Sequence, residues 1–276
     1  MEKVVNNQMV SQSAVTMMLI QMLICLALPI GLAVWVIKRR SHPKKGATKI
    51  FFIGMGIFFL FAGVLEGPFR GIARQFQHTP WAYALYGALL AGVFEEVGRF
   101  LGFKFIQKRI PDKINDPETP FLYGLGHGGL EMILVGSMTV LSNYLFAMLI
   151  NSGSIEKVLS QTPANSRSAI TAVVKQLTGM SAWTVSLSLL ERIMALAVQI
   201  ALSVVVWLLI VKRKQWFWLL VPIGLHAFID FPAALTQVGA LSVTVEEFLL
   251  VGQSLLIVGL VYWLWQRTMR NRQVSD

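Results

Sequence analysis

Residues 92–100 have the sequence Gly-Val-Phe-Glu-Glu-Val-Gly-Arg-Phe, which places Glu95, Glu96 and Arg99 inside an apolar run from residue 82 to residue 106. An apolar run of about 20 residues or more has the length of a helix that crosses a lipid bilayer. Ionisable side chains at that depth are costly unless they are paired or line a wet cavity, so they indicate function. This stretch therefore predicts a membrane helix that carries the centre of a functional site.

The composition of the chain is that of a membrane protein. Of its 276 residues, 55% are hydrophobic and 14% are charged, and the mean hydropathy is +0.62. Soluble domains carry about 25% charged residues. The formal net charge of +10 could suggest nucleic-acid binding, but the basic residues form short clusters beside apolar runs. That pattern is typical of membrane topology, so we expect the lipid bilayer and no nucleic acid as a partner.

Seven apolar segments are candidates for membrane spans. They lie at residues 15–37, 48–69, 82–106, 120–150, 182–211, 216–237 and 245–265. The sequence thus predicts an all-α fold, a polytopic helical bundle that forms a single transmembrane domain over residues 1–276. The one long loop is predicted at residues 151–181. This segment is either a solvated connector or contains a helix over residues 166–177, and the sequence does not decide between the two.

The basic clusters predict the orientation of the bundle. They follow the first, third, fifth and seventh spans, at residues 38–49, 104–113, 212–214 and 267–272. Connections on the cytoplasmic side of a membrane are rich in Lys and Arg. We therefore expect the N-terminus and the 151–181 loop outside the cytoplasm, and the C-terminus inside it.

Two further spans carry a histidine with a carboxylate one helical turn later. His127 precedes Glu131 in the fourth span, and His226 precedes Asp230 in the sixth. Residues four apart share one face of a helix. At a rise of about 1.5 Å per residue, counting from the cytoplasmic ends puts both histidines within a few ångströms of the level of the glutamate pair. This agreement in depth predicts one shared site. A stripe of residues spaced three or four apart on the fifth span is expected to support it as an interior network. Its members are Ser188, Glu191, Arg192, Ala195, Gln199 and Ser203.

Two carboxylates and two imidazoles around one cavity favour general acid–base hydrolysis. Arg99 follows the glutamates by three and four residues, so it can pair with one of them and leave the other to activate water. The candidate catalytic residues are Glu95, Glu96, His127 and His226. Two alternatives stay open: a zinc ion held by His127, His226 and Glu96, or polar pairs that only lock helices together or line an ion path.

These motifs in combination resemble the YhfC family of intramembrane proteases, within a wider group of CAAX-type, bacteriocin-processing (Abi) and PrsW-like proteases. The resemblance extends over about residues 15–267. It rests on Glu95-Glu96 with Arg99, on Gly-His-Gly-Gly-Leu-Glu at residues 126–131, on Glu191-Arg192 and on His-Ala-Phe-Ile-Asp at residues 226–230.

The resemblance implies a glutamic-type endopeptidase in a bacterial inner membrane. In such an enzyme Glu95 or Glu96 would activate water without a cofactor, and His127 and His226 would assist. The implied substrate is a membrane-embedded peptide or a lipidated, prenylated-type peptide. A zinc-dependent metalloprotease is the alternative. The sequence indicates no particular oligomeric state.

Two positions differ from the CAAX-type pattern. Only Val97 and Gly98 separate the glutamate pair from Arg99, where that pattern has three residues, and Gln199 stands where a histidine is expected in relatives. The wider group also includes the seven-helix scaffold subunit of γ-secretase. A non-catalytic membrane scaffold is therefore the alternative to an enzyme.

Overall fold

The computed structural model of the protein describes residues 9–39 and 46–275, with side chains up to residue 271. Arg40, Lys44 and Lys45 of the first basic cluster lie outside the described residues, as does the side chain of Arg272 in the last cluster. The described ranges are almost entirely helical and contain no strand, so the predicted all-α fold is confirmed.

Twelve α-helices follow one another in the described part of the chain. They are α1 (Gln12–Lys38), α2 (Ala47–Phe58), α3 (Gly67–Arg70), α4 (Pro80–Arg109), α5 (Pro111–Ile114), α6 (Thr119–Glu131), α7 (Thr139–Asn151), α8 (Ile155–Gln161), α9 (Ala164–Thr178), α10 (Ala182–Val211), α11 (Leu220–Gln237) and α12 (Val243–Ser275). Two π-helical segments, Phe59–Leu65 and Met132–Met138, continue α2 and α6 without a break.

Within the described ranges, six helical stretches are long and apolar enough to cross a membrane. They are Gln12–Lys38, Ala47–Leu65, Thr119–Asn151, Ala182–Val211, Trp216–Gln237 and Val243–Asn271. These stretches correspond to six of the predicted spans and confirm a multi-pass integral membrane protein. The count of seven spans and the orientation of the termini stay predictions.

The remaining predicted span is α4, a continuous helix of 30 residues. It begins at Pro80, where the fixed φ of proline suits the first helical position. It ends at Arg109. The next residue, Ile110, precedes Pro111 and is therefore biased away from helical geometry. At about 1.5 Å per residue, α4 is about 45 Å long. Its charged residues make it less apolar than the six stretches above.

The chain divides into two compact units. The first combines the described residues up to Leu28 with Met132–Arg192, and α9 buries Val174 and Leu177 in its core. Residues 151–181, predicted as a loop, thus contain the two helices α8 and α9. The second unit combines Pro29–Glu131 with the chain from Ile193 onward, and its core includes the buried rings of Phe103, Tyr123 and Trp207. The single transmembrane domain stays a prediction.

Glycines set how closely the helices of the second unit approach. A Cβ atom on Gly54 of α2 would overlap the carbonyl oxygen of Tyr123 on α6, and one on Gly126 of α6 would overlap the carbonyl oxygen of Phe51 on α2. A Cβ atom on Gly92 of α4 would lie 2.9 Å from a carbonyl oxygen of α11. Small residues allow such backbone contact between membrane helices. These glycines therefore let the helices that carry the site pack against each other.

We expect Gly54→Ala to lower the free energy of unfolding by about 1–3 kcal/mol, because the added methyl group overpacks the α2–α6 contact. Gly56→Ala is the matched control, since a Cβ atom there meets nothing within 4 Å. Thermal unfolding of both purified variants in detergent measures the difference. Equal melting temperatures for Gly54→Ala and Gly56→Ala would contradict this account of the packing.

Candidate active site

The guanidinium group of Arg99 lies at the centre of the polar network. Its Nη1 donates to the carbonyl oxygen of Gln199 at 2.7 Å and to Oγ of Ser203 at 2.6 Å, and its Nη2 donates to Oε1 of Gln199. Its Nε lies 3.1 Å from Oε2 of Glu96 as an ion pair. Arg99 and Glu96 are both fully buried. Because an uncompensated buried charge is very costly, these contacts hold α10 against α4.

Glu96 connects Arg99 to His226. Its Oε1 lies 2.8 Å from Nδ1 of His226, and a carboxylate in this position accepts the hydrogen of Nδ1. The other ring nitrogen, Nε2, is then directed elsewhere. It lies 3.4 Å from Oδ2 of Asp230 and 3.9 Å from Oε2 of Glu95. Glu96 is therefore placed to orient the His226 ring, and its own side chain is fully buried.

Glu95 is the point at which both histidines meet. Its Oε2 lies 3.1 Å from Nε2 of His127 and 3.9 Å from Nε2 of His226, and it accepts a hydrogen bond of 3.0 Å from Nε2 of Gln199. The side chain of Glu95 is 9% exposed, whereas that of Glu96 has no exposed surface. Of the two adjacent glutamates, Glu95 is the one that a reactant could reach.

Gln199 bridges the two carboxylates of Glu95 and Glu131. Its Nε2 donates to Glu131 at 2.7 Å as well as to Glu95, while its Oε1 accepts from Arg99. The side-chain amide is thus fully engaged, because its nitrogen donates to two carboxylates and its oxygen accepts from Arg99. An amide does not exchange a proton in the way that an imidazole does. Gln199 therefore acts in this network by holding carboxylates in place.

The structure brings most of the predicted site residues into one contact network. Its members are Glu95, Glu96, Arg99, His127, Glu131, Gln199, His226 and Asp230. Glu191 and Arg192 pair with each other and belong to the first compact unit, whereas the network lies in the second. The catalytic and supporting roles assigned to all of these residues stay predictions.

Ser203 belongs to the predicted stripe on the fifth span but was not among the candidate site residues. It accepts from Arg99 and donates to the carbonyl oxygen of Gln199 at 2.8 Å. The signal in the sequence was its position four residues after Gln199, on the same helix face. The rings of Phe58 and Tyr123 complete the surroundings of His127, at centroid distances of 5.1 and 6.0 Å from its imidazole.

The donor atoms of the site fit a zinc ion chemically. Two histidines and one glutamate form a common catalytic zinc site, and ligand atoms at about 2.0–2.1 Å from zinc lie about 3.4 Å apart in a tetrahedron. The separations of 3.1 and 3.9 Å between Oε2 of Glu95 and the two Nε2 atoms bracket that value. A carboxylate on the far nitrogen of a histidine ligand, as Glu96 is on His226, is the usual support of such a ligand.

This geometry changes the donor set that the sequence suggested for zinc. Glu96 contacts Nδ1 of His226 and Arg99, so Glu95 is the glutamate that faces both Nε2 atoms. Over residues 9–39 and 46–275, no three His, Cys, Asp or Glu side chains form a ready-made metal cluster. Glu95, His127 and His226 would therefore have to draw together slightly around an ion.

Comparison with known proteins gives two matches. A family model described as "YhfC intramembrane metalloprotease" matches residues 24–250. A protein of Bacillus subtilis (strain 168), described as "Uncharacterized membrane protein YhfC", is 39% identical over 266 residues, which are 93% of this chain and 97% of that protein. No solved structure matches. Every residue of the polar network falls within the range that the family model matches.

We expect Arg99→Met to destabilise the protein by about 3–5 kcal/mol, because it leaves the buried carboxylate of Glu96 without its cationic partner. Adding Glu96→Gln to Arg99→Met removes that uncompensated charge, so the double variant should be less destabilised than the two single effects together imply. Denaturant or thermal unfolding of the four proteins in one detergent gives the coupling energy. Strictly additive effects would contradict the ion pair.

Proposed function

Because the chain belongs to the YhfC family of intramembrane metalloproteases, we propose that it is a zinc-dependent endopeptidase that hydrolyses a peptide bond at membrane depth. The family description favours a peptidase over a non-catalytic scaffold. It also favours zinc over the cofactor-free mechanism expected from the sequence. The observation that carries the proposal is the approach of Nε2 of His127 and Nε2 of His226 to one oxygen of Glu95.

We assign the zinc ligands to Glu95, His127 and His226. Zinc bound there would polarise the scissile carbonyl group and make a water molecule more acidic. Glu96 would hold the His226 ring through Nδ1, and Arg99 would fix Glu96 in turn. With Nδ1 donating to Glu96, Nε2 of His226 would be the nitrogen that binds the metal, and it would have to be free of its hydrogen to do so.

Asp230 and Gln199 are the remaining polar groups beside the donor atoms. The side chain of Asp230 is 41% exposed and its Oδ2 lies 3.4 Å from Nε2 of His226, so it is the carboxylate that can pass protons between the site and its surroundings. Gln199 holds Oε2 of Glu95 through a 3.0 Å hydrogen bond. We assign proton transfer to Asp230 and positioning to Gln199.

The glutamic mechanism is the second candidate, and one observation favours it. Glu95 already contacts His127 and Gln199 directly, at 3.1 and 3.0 Å. In this mechanism Glu95 takes a proton from the attacking water and His127 or His226 stabilises the developing charge. The two mechanisms share the same residues and differ in whether activity requires a metal ion.

The position of Glu95 supports a substrate that enters the membrane. Glu95 lies near the middle of the 30-residue α4, about 22 Å from either end at 1.5 Å per residue. A soluble loop would have to reach that depth, whereas a membrane-embedded or lipidated peptide is already there. We therefore propose such a peptide as the substrate class, in line with the proposed kinship to CAAX-type, bacteriocin-processing and PrsW-like proteases.

We expect Glu95→Gln to reduce cleavage by about 10²–10⁴-fold, because the amide neither takes up a proton nor binds zinc as a carboxylate does. Purified protein is incubated with labelled transmembrane and lipidated tail peptides, with and without a chelator. Glu156→Gln, an exposed glutamate on α8, is the control and should keep full activity. Full activity of Glu95→Gln would contradict both mechanisms.

The chelator separates the two candidates in that assay. Activity that a chelator abolishes and added zinc restores supports the metalloprotease. Activity that survives complete removal of metal excludes zinc and leaves the glutamic mechanism.

We expect Glu96→Gln to weaken zinc binding by about 10–100-fold, the usual effect of losing a partner of a histidine ligand. Competition with a chromogenic chelator measures the affinity without any substrate. Glu156→Gln again serves as the control. Unchanged zinc affinity in Glu96→Gln would show that Glu96 does not support a metal ligand.

A further inference from the structure

A basic pocket lies where α4 and α10 end at the same side of the second unit. Its volume is about 360 Å³, and the cationic residues that line it are Lys104, Arg213 and Lys214. Apolar walls come from Phe100 on α4 and from Leu209 and Ile210 on α10, and no carboxylate lines the pocket. Three positive charges beside an apolar surface form a site for a ligand with a negative head and an apolar body.

None of these three cations is neutralised by an acidic side chain in the described part of the chain. Lys104 lies 3.4 Å from Oε1 of Gln107, and Lys214 lies over the ring of Trp218 at 5.6 Å. Arg213 is exposed. Like charges so close to one another repel, and a bound anion removes that repulsion.

The backbone at Arg213 gives a second, independent observation. Its φ is +49°, the left-handed conformation that normally favours glycine. The N–H of Arg213 donates to the carbonyl of Ile210, and the N–H of Lys214 donates to that of Leu209. These bonds form the motif that ends many helices, in which the left-handed position is usually glycine. A cationic side chain therefore occupies a position where folding alone would favour glycine.

The chain that follows has the composition of a bilayer interface. Trp216, Phe217 and Trp218 are 77%, 45% and 44% exposed, respectively. Exposed tryptophans next to basic residues are typical of the headgroup region of a membrane. These exposed rings predict that the pocket opens near the phospholipid headgroups.

We propose that this pocket binds the phosphate headgroup of an anionic phospholipid, with an acyl chain along Phe100 and Leu209. Basic pockets between membrane helices commonly bind such headgroups. The lipid would join the ends of α4 and α10, the same two helices that Arg99 joins one residue before Phe100. This proposal does not depend on the peptidase mechanism.

The test is a titration of the purified full chain with dioleoyl phosphatidylglycerol, followed by native mass spectrometry. Dioleoyl phosphatidylcholine, which has the same acyl chains and no net charge, is the reference lipid. We expect phosphatidylglycerol to bind more tightly, and Lys104→Gln and Lys214→Gln to weaken it about fivefold each. Arg267→Gln, which removes an exposed arginine of α12 outside the pocket, should leave the affinity unchanged.

Arg213→Gly is the most informative variant. It removes the guanidinium group and also places glycine at the left-handed position, so the melting temperature should stay equal or rise while phosphatidylglycerol binding weakens about fivefold. If Arg213 served only the helix end, the lipid affinity would not change. Unchanged affinity in the three pocket variants, or equal binding of both lipids by the wild type, would overturn the proposal.

Glycerol 3-phosphate distinguishes a lipid from a free phosphate compound. We expect no displacement of phosphatidylglycerol by this soluble headgroup analogue at equal concentration, because it lacks the acyl chains that contact the apolar walls. Displacement at equal concentration would identify the pocket as a site for a soluble phosphate compound and would overturn the lipid assignment.

Discussion

The buried ion pair between Arg99 and Glu96 is the constraint on which the rest of the site depends. A guanidinium group buried between helices must find partners for its charge and its N–H groups, and the partners here come from α4 and α10. Once Arg99 holds Glu96, the second oxygen of Glu96 is available to His226 on α11. One costly residue therefore links three helices through its contacts and places a carboxylate beside Nδ1 of an imidazole.

The same ion pair gives the two adjacent glutamates different surroundings. Neighbouring residues on a helix point about 100° apart, so Glu95 and Glu96 cannot both face the same partner. Glu96 is fully buried between Arg99 and His226, and Glu95 faces both Nε2 atoms with some surface exposed. In the proposed function, the buried carboxylate supports His226, and the accessible carboxylate binds zinc or activates water. Gly54, Gly92 and Gly126 allow the close packing of the helices that carry these side chains.

Much of this arrangement can be predicted from the sequence, because membrane helices have a fixed rise and lie roughly parallel. Depth counting placed His127 and His226 at the level of the glutamates, and the contacts of 3.1 and 2.8 Å agree with it. Helical spacing also predicted that Arg99 pairs with one glutamate. Which one it selects depends on how α4 is rotated against α10, and spacing along one helix contains no information about that rotation.

Other features depend on tertiary contacts in the same way. The sequence shows Gln199 as a departure from the pattern of relatives, but it does not show its two carboxylate partners, because these lie on other helices. Ser203 is one polar residue in a stripe, and the sequence does not distinguish it from the other members. Residues 151–181 were ambiguous because their polar start resembles a connector, whereas Val174 and Leu177 form a buried face only against other helices. A metal ion is still harder to predict, since the same histidines and carboxylates serve hydrogen bonding and zinc binding equally well.

The central claim is that Glu95, His127 and His226 bind one zinc ion. X-ray absorption spectroscopy at the zinc edge, on purified wild-type protein of known metal content, tests it most directly. We expect about one zinc per chain, with two imidazole nitrogens and carboxylate oxygen at about 2.0–2.2 Å, and the loss of one imidazole in His226→Ala. Wild-type protein that cleaves peptide while holding no zinc, or zinc whose ligands are unchanged in His226→Ala, would contradict the account.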